Sequence, residues 1–73
     1  MNKIIKLTRL YYNDDGIIAQ KSFILFNVDS MIKAEANNRL GCTSIIYNSD
    51  SVMTIHCSES IDTIMQLINQ KNY

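Results

Sequence analysis

The chain has 73 residues, the length of one domain, and its seven basic and seven acidic residues leave no formal net charge at pH 7. This balance lacks the basic stripe that neutralises a phosphate backbone, which argues against nucleic-acid binding. The longest apolar runs have about four residues, far fewer than a membrane span needs, and residues 1–6 lack the apolar block of a signal peptide. We therefore expect one soluble domain over residues 1–73, cytoplasmic in a bacterium and encoded either by the bacterium or by a phage.

The small size of the chain limits its stability. A domain of this length buries only about 60 % of the surface of its unfolded chain, and such domains commonly add a disulfide, a metal or a second subunit. Cys42 and Cys57 are the two cysteines, so at most one disulfide can form. We expect two reduced, half-buried thiols, as is usual in the cytosol, and whether they are ever bridged stays open.

The first part of the chain predicts a long β-hairpin. Residues 3–12 are rich in β-branched and aromatic side chains, and residues 13–16 (NDDG) are typical of a turn. Residues 17–28 form the return strand, with Phe23 and Leu25 on one face and Ile24 and Phe26 on the other. Because both faces of this strand are apolar, we expect each face to be covered.

The remainder predicts more strands and then a helix. After residue 58 the apolar positions change from period two to helical spacing, and Ser58 or Ser60 is a candidate N-cap. The predicted class is α+β: a small antiparallel sheet or partly open barrel of about five strands with one C-terminal amphipathic helix. The three further strands are predicted at residues 31–36, 42–47 and 51–57, and the helical stripe is Ile61, Ile64, Met65 and Ile68.

Three segments, in order along the chain, resemble the FlbD/SwrD family of small flagella-associated proteins and similar short bacterial and phage proteins. Residues 5–10 (IKLTRL) are similar to the family's opening I-x-L-T-R-L strand, residues 27–35 to its N-x-D-x-I-x-x-x-E segment, and residues 59–68 to its E-S-V-x-E-V-x-x-x-I helix start. The resemblance implies a sheet with a C-terminal helix, no known catalysis and a role in protein contacts. The chain departs from the family in its extended first hairpin, through residues 11–20, and in lacking the glycine of the second hairpin turn.

The sequence offers little for catalysis or metal binding. Structural zinc needs four ligands, whereas Cys42, His56 and Cys57 are only three, and neighbouring strand residues point to opposite faces. A site shared across an oligomer axis is the alternative. Asp14 and Asp15 are better explained by turn chemistry than by a calcium loop, which needs more oxygen ligands. We expect no enzyme activity, no metal and no cofactor.

One group of residues suggests a ligand. Arg9 and Tyr11 share a strand face, and antiparallel pairing about the turn brings Lys21 near Leu10 or Tyr11. Together with Arg39, these side chains have the charge and the ring that bind a phosphate or a nucleobase. Solvated charges whose stems pack along the sheet are the competing interpretation.

The hairpin tip suggests a contact surface between copies. Its apolar residues are Tyr11, Tyr12, Ile17 and Ile18, too many for so small a body to cover. The first hypothesis is a non-enzymatic, homo-oligomeric binding or adaptor module whose partners are itself and another protein. The alternative is a phage-encoded sponge that sequesters a cyclic or other phosphorylated nucleotide signal between subunits. A virion or flagellar structural part is a third possibility.

Overall fold

The computed structural model describes residues 3–70, which form a five-stranded antiparallel sheet with one helix behind it. The chain order is strands β1 to β5, with a 3-10 turn at Val28–Ser30 between β2 and β3, followed by helix α1. The bounds are β1 Ile4–Tyr12, β2 Ile18–Asn27, β3 Met31–Asn37, β4 Cys42–Asn48, β5 Val52–Cys57 and α1 Ile61–Asn69.

The strands lie in the order β2-β1-β5-β4-β3, and the sheet is open, with β2 and β3 at its edges. All pairs are antiparallel. The seam between β1 and β5 is narrow, because only Arg9 with Cys57 and Leu10 with His56 pair across it. The predicted α+β class, with a small antiparallel sheet and one C-terminal helix, is confirmed.

The turns follow from local side-chain chemistry. The Asn13 side-chain oxygen accepts hydrogen bonds from the backbone N–H groups of Asp15 (2.9 Å) and Ile17 (3.0 Å), which closes the first hairpin. Gly16 and Gly41 have φ of 78° and 70° in the turns after β1 and β3, a left-handed region that favours glycine.

The core lies between the sheet and the helix. Period-two alternation directs one set of strand side chains toward α1, where Ile64 is buried and Leu67 and Ile68 pack at the margin. Ser60 is the N-cap, since its hydroxyl accepts a hydrogen bond from the Thr63 N–H (3.1 Å). The buried core residues are Ile5, Leu7, Phe26, Ile45, Ile55, Cys57 and Ile64.

The opposite side of the sheet, here called the outer face, is covered unevenly. Leu10 and Ser44, the two neighbours of His56 across the sheet, are buried, whereas Phe23 and Leu25 of β2 are 71 % and 77 % exposed. In a single copy this face of β2 is therefore uncovered, and the expectation that something covers it stays a prediction. Within residues 3–70, no helix is both long enough and apolar enough to cross a membrane.

Candidate functional site

The two most exposed large apolar side chains of residues 3–70, Phe23 and Leu25, project from the outer face of the β1–β2 hairpin. The register pairs Thr8 with Phe23 and Lys6 with Leu25, and directly opposed residues of an antiparallel pair share a face. Ile4, 50 % exposed, lies on the same face one step further along. We name Ile4, Phe23 and Leu25 the outer apolar patch.

The patch follows directly from the sequence of β2. Ile24 and Phe26 occupy the core side of this strand and pair with Leu7 and Ile5. Their neighbours Phe23 and Leu25 are consequently directed outward. The Lys6 ammonium lies 4.3 Å from the centroid of the Phe23 ring, so a cation–π contact shields part of that ring.

The predicted interface at the hairpin tip is exposed at three of its four positions. Tyr11, Ile17 and Ile18 are exposed, as a contact surface requires. Tyr12 is engaged within its own chain: its ring packs edge-on against His56, with centroids 5.6 Å apart, and its hydroxyl lies 3.4 Å from the Leu40 carbonyl oxygen.

The predicted ligand-binding residues are divided between the two faces of the sheet. Arg9 and Tyr11 do meet, with the guanidinium carbon 4.6 Å from the ring centroid. Lys21 pairs with Leu10 and therefore lies on the outer face, away from that pair. Arg39 belongs to the turn between β3 and β4 and lines a different recess. The structure thus assembles two of the four residues and separates the others.

That recess, here called the Tyr12 recess, lies between the two turns that follow β1 and β3. Its volume is about 480 Å³. It carries a guanidinium from one turn and two carboxylates from the other, so its lining has both signs of charge. The lining residues are Tyr12, Asn13, Asp14, Asp15, Gly16, Arg39, Leu40 and His56.

A hydrogen-bond chain orients His56 at this recess. The Asn37 amide donates to the Ser44 hydroxyl oxygen (3.2 Å), and that oxygen lies 2.9 Å from Nδ1 of His56. Ser44 pairs with His56 across β4 and β5 and is buried. Its hydroxyl therefore holds the imidazole ring in one orientation. This leaves Nε2 as the ring nitrogen that can form a hydrogen bond with a ligand.

The sequence singles out His56 as a candidate metal ligand but does not point to Ser44 and Asn37, its partners in these hydrogen bonds. Ser44 and Asn37 belong to residue types that are common in strands and turns, and no motif surrounds them. The available signal was the register of the β4–β5 hairpin, which places a hydroxyl opposite His56. Finding the contact between Ser44 and His56 from the sequence requires the correct alignment of β4 and β5 about the turn at residues 48–50.

Two groups near this end of the sheet have raised pKa values. A hydrogen bond with the Cys42 side chain, assisted by burial, raises the pKa of Tyr12 to about 12. Burial, together with the negative charge of Glu59, raises the pKa of the Cys57 thiol to about 11. Both groups are neutral at pH 7. Both cysteines are free, with Cys57 buried on the core side and Cys42 half-buried.

Among residues 3–70, no group of three or more His, Cys, Asp and Glu side chains is placed to hold a metal ion. Comparison of the chain with protein-family models, with curated proteins and with solved structures gives no match. The resemblance of residues 5–10, 27–35 and 59–68 to the FlbD/SwrD family therefore stays a prediction.

Proposed function

We propose that this protein is a non-enzymatic binding or adaptor module that acts as a homo-oligomer in the cytoplasm. The observation that carries the proposal is the outer apolar patch, in which Phe23 and Leu25 are largely exposed on a regular strand. Isolated apolar side chains are ordinary on protein surfaces, but neighbouring large ones mark contact sites. The hairpin tip, with Tyr11, Ile17 and Ile18 exposed, extends the apolar surface available for contact.

The energetic gain from covering the patch is large for a domain of this size. Burying about 100 Å² of apolar surface per side chain at about 25 cal/mol per Å² contributes about 2.5 kcal/mol for each residue. If two copies bury Phe23 and Leu25 against each other, the four side chains contribute about 10 kcal/mol of favourable free energy before the costs of association. That is comparable with the whole free energy of unfolding of a small domain.

The test is sedimentation equilibrium of the full chain at about 1–200 µM, a range that brackets micromolar dissociation constants. We expect a species of at least twice the 8.4 kDa chain mass. The double variant Phe23→Ser/Leu25→Ser should sediment as a monomer, because it removes the apolar area without touching the core. A wild-type chain that stays monomeric over the whole range contradicts the proposal.

A matched variant at the hairpin tip compares the two apolar surfaces. Tyr11→Ser/Ile18→Ser changes two exposed residues and leaves the outer apolar patch intact. If this variant dissociates while Phe23→Ser/Leu25→Ser remains associated, the tip is the interface and the patch is not. If only the patch variant dissociates, the patch carries the association.

A second candidate function is sequestration of a phosphorylated nucleotide, as in a phage-encoded sponge. The Tyr12 recess favours it, because Arg39 can pair with a phosphate and the Tyr12 and His56 rings can contact a base. Calorimetry with cyclic di- and trinucleotides tests it: wild type should bind and Arg39→Gln should not. Arg9→Gln, which alters a residue outside the recess, serves as control. Absence of heat at any ionic strength eliminates this candidate.

A further inference from the structure

We infer that edge strand β2 pairs antiparallel with β2 of a second copy, about a twofold axis close to Ile24, so that two open sheets join into one. The inference rests on the proposed homo-oligomer and names how its copies meet.

The hydrogen bonds define which backbone groups of β2 point outward. Val28 N–H donates to the Lys3 carbonyl (2.9 Å) on one side of β1, and Ser58 N–H donates to the Thr8 carbonyl (3.0 Å) on the other. In an antiparallel ladder, alternate residues bond to opposite neighbours. The register is unbroken from Asn27 to Gln20, so Ser22, Ile24 and Phe26 bond to β1. The N–H and C=O groups of Lys21, Phe23 and Leu25 therefore point away from the sheet.

The two edges of the sheet differ in their protection. Edge strand β3 carries the Lys33–Glu35 ion pair (3.5 Å) and a register irregularity between Met31 and Lys33, both of which discourage pairing with another chain. Between residues 20 and 27, β2 has no proline, no irregularity and a single charge, that of Lys21. An unprotected edge of this length is a template for a further strand.

A second copy fits this edge without a charge conflict. With the axis at Ile24, Phe23 of each copy lies opposite Leu25 of the other, and Lys21 lies opposite Asn27. The four large apolar side chains then form one cluster on the outer face, and the two Ile24 side chains meet on the core side. An axis at Phe23 would pair the two Phe23 side chains but place each Leu25 opposite Lys21, so Leu25 would lose its apolar partner.

Amide hydrogen exchange, read residue by residue by NMR, tests the pairing. At a concentration where the chain is associated, the amides of Lys21, Phe23 and Leu25 should exchange at least about tenfold more slowly than in dilute samples. The amides of Ser22, Ile24 and Phe26 should be protected at both concentrations. An oligomer in which the three outward amides exchange rapidly overturns the strand pairing and leaves the proposed homo-oligomer standing.

A backbone variant gives an independent test. Lys21→Pro removes one outward N–H while the outer apolar patch and the bonds to β1 are kept, since proline is tolerated on an edge strand where its missing N–H faces outward. Two lost hydrogen bonds per dimer should weaken association by about 100-fold. Lys21→Ala, the matched control, should change it by less than about threefold.

The outcomes of the proline experiment separate the hypotheses. A folded Lys21→Pro that associates as tightly as Lys21→Ala overturns the pairing. If Lys21→Pro does not fold, the exchange of the Lys21, Phe23 and Leu25 amides in the wild-type oligomer decides: slow exchange supports the pairing and rapid exchange overturns it. A wild-type chain that is monomeric at all concentrations refutes the proposed homo-oligomer itself.

Discussion

The burial of Cys57 makes the free energy of unfolding depend on pH. Its thiol is fully buried in the core, and removal from water raises its pKa to about 11. The neutral thiol is therefore favoured in the folded state relative to the unfolded chain. The resulting stabilisation is present in full below pH 9, because the thiol pKa in the unfolded chain is 9.0. It is lost as the pH rises through the pKa of the folded state, about 11.

We expect the free energy of unfolding to fall by about 2 kcal/mol between pH 8 and pH 11 on account of Cys57, since each unit of pKa difference corresponds to about 1.4 kcal/mol. Urea denaturation at several pH values and one protein concentration measures it. Tyr12 contributes in the same direction, but only above its ordinary pKa of 10.0.

Two variants separate these contributions. Cys57→Ala should remove the decline that begins near pH 9, at the cost of a lower overall stability because the core loses a sulfur atom. Tyr12→Phe should leave that decline in place and reduce only the part above pH 10. A Cys57→Ala profile that parallels wild type between pH 8 and pH 10 would refute the assignment.

At the scale of the elements, Glu59 links the start of the helix to the first hairpin. Its carboxylate accepts hydrogen bonds from the Thr8 N–H and the Thr8 hydroxyl, both 2.9 Å. We call these two hydrogen bonds the Glu59 clamp. Because only two residue pairs join β1 to β5, the clamp supplies a substantial part of the connection between the two halves of the sheet. The Ser58 N–H bond to the Thr8 carbonyl completes it.

We predict that Glu59→Ala lowers the free energy of unfolding by about 2–3 kcal/mol, as expected when two hydrogen bonds to a charged group are lost. Glu59→Gln keeps one acceptor oxygen and should lose about half as much. Equilibrium denaturation by urea is the measurement. Equal stability of Glu59→Ala and wild type would mean that the clamp contributes nothing.

The helix cap supplies a second prediction at this scale. Ser60→Ala should cost about 1 kcal/mol, because the Thr63 N–H loses its side-chain acceptor. Ser58→Ala is the matched control and should cost less than about 0.5 kcal/mol. A larger loss for Ser58→Ala than for Ser60→Ala would place the cap two residues earlier than the structure does.

The elements could be predicted from the sequence because each depends on local patterns. All five strands begin and end within one residue of their predicted bounds, since alternation and turn residues act over a few positions. The helix, Ile61–Asn69, contains the whole predicted apolar stripe. The choice between Ser58 and Ser60 as N-cap required the structure, because both serines precede the same apolar stripe.

What could not be predicted depends on the alignment of distant strands. The separation of Lys21 from Arg9 and Tyr11 follows from the β1–β2 register, in which Lys21 opposes Leu10. Shifting that register by one residue would reverse the face. The contact between Ser44 and His56 likewise requires the β4–β5 alignment, and the exposure of Phe23 and Leu25 requires knowing which face the helix covers.

At the scale of the whole molecule, the proposed homo-oligomer would make stability depend on association, because the outer apolar patch is uncovered in a single copy. A domain of 73 residues buries a modest core, and covering Phe23 and Leu25 against a second copy adds to it. Folding and oligomerisation then become coupled equilibria, in which mass action favours the folded state as the protein concentration rises.

We therefore predict that the midpoint of thermal unfolding rises by about 3–5 °C for each tenfold increase in protein concentration above the dissociation constant. Differential scanning calorimetry over a hundredfold range measures it. Phe23→Ser/Leu25→Ser should show a midpoint that is independent of concentration. A constant wild-type midpoint across the range would indicate that the subunits fold without each other.

The narrow seam between β1 and β5 is also the strand pairing whose partners lie furthest apart along the chain. The β1–β2, β3–β4 and β4–β5 contacts join strands that are consecutive in the chain, whereas the seam closes a loop that contains residues 11–55. Loop closure of this length is the largest entropic barrier in the topology. We expect the hairpins to form rapidly and the meeting of Leu10 with His56 to limit the refolding rate.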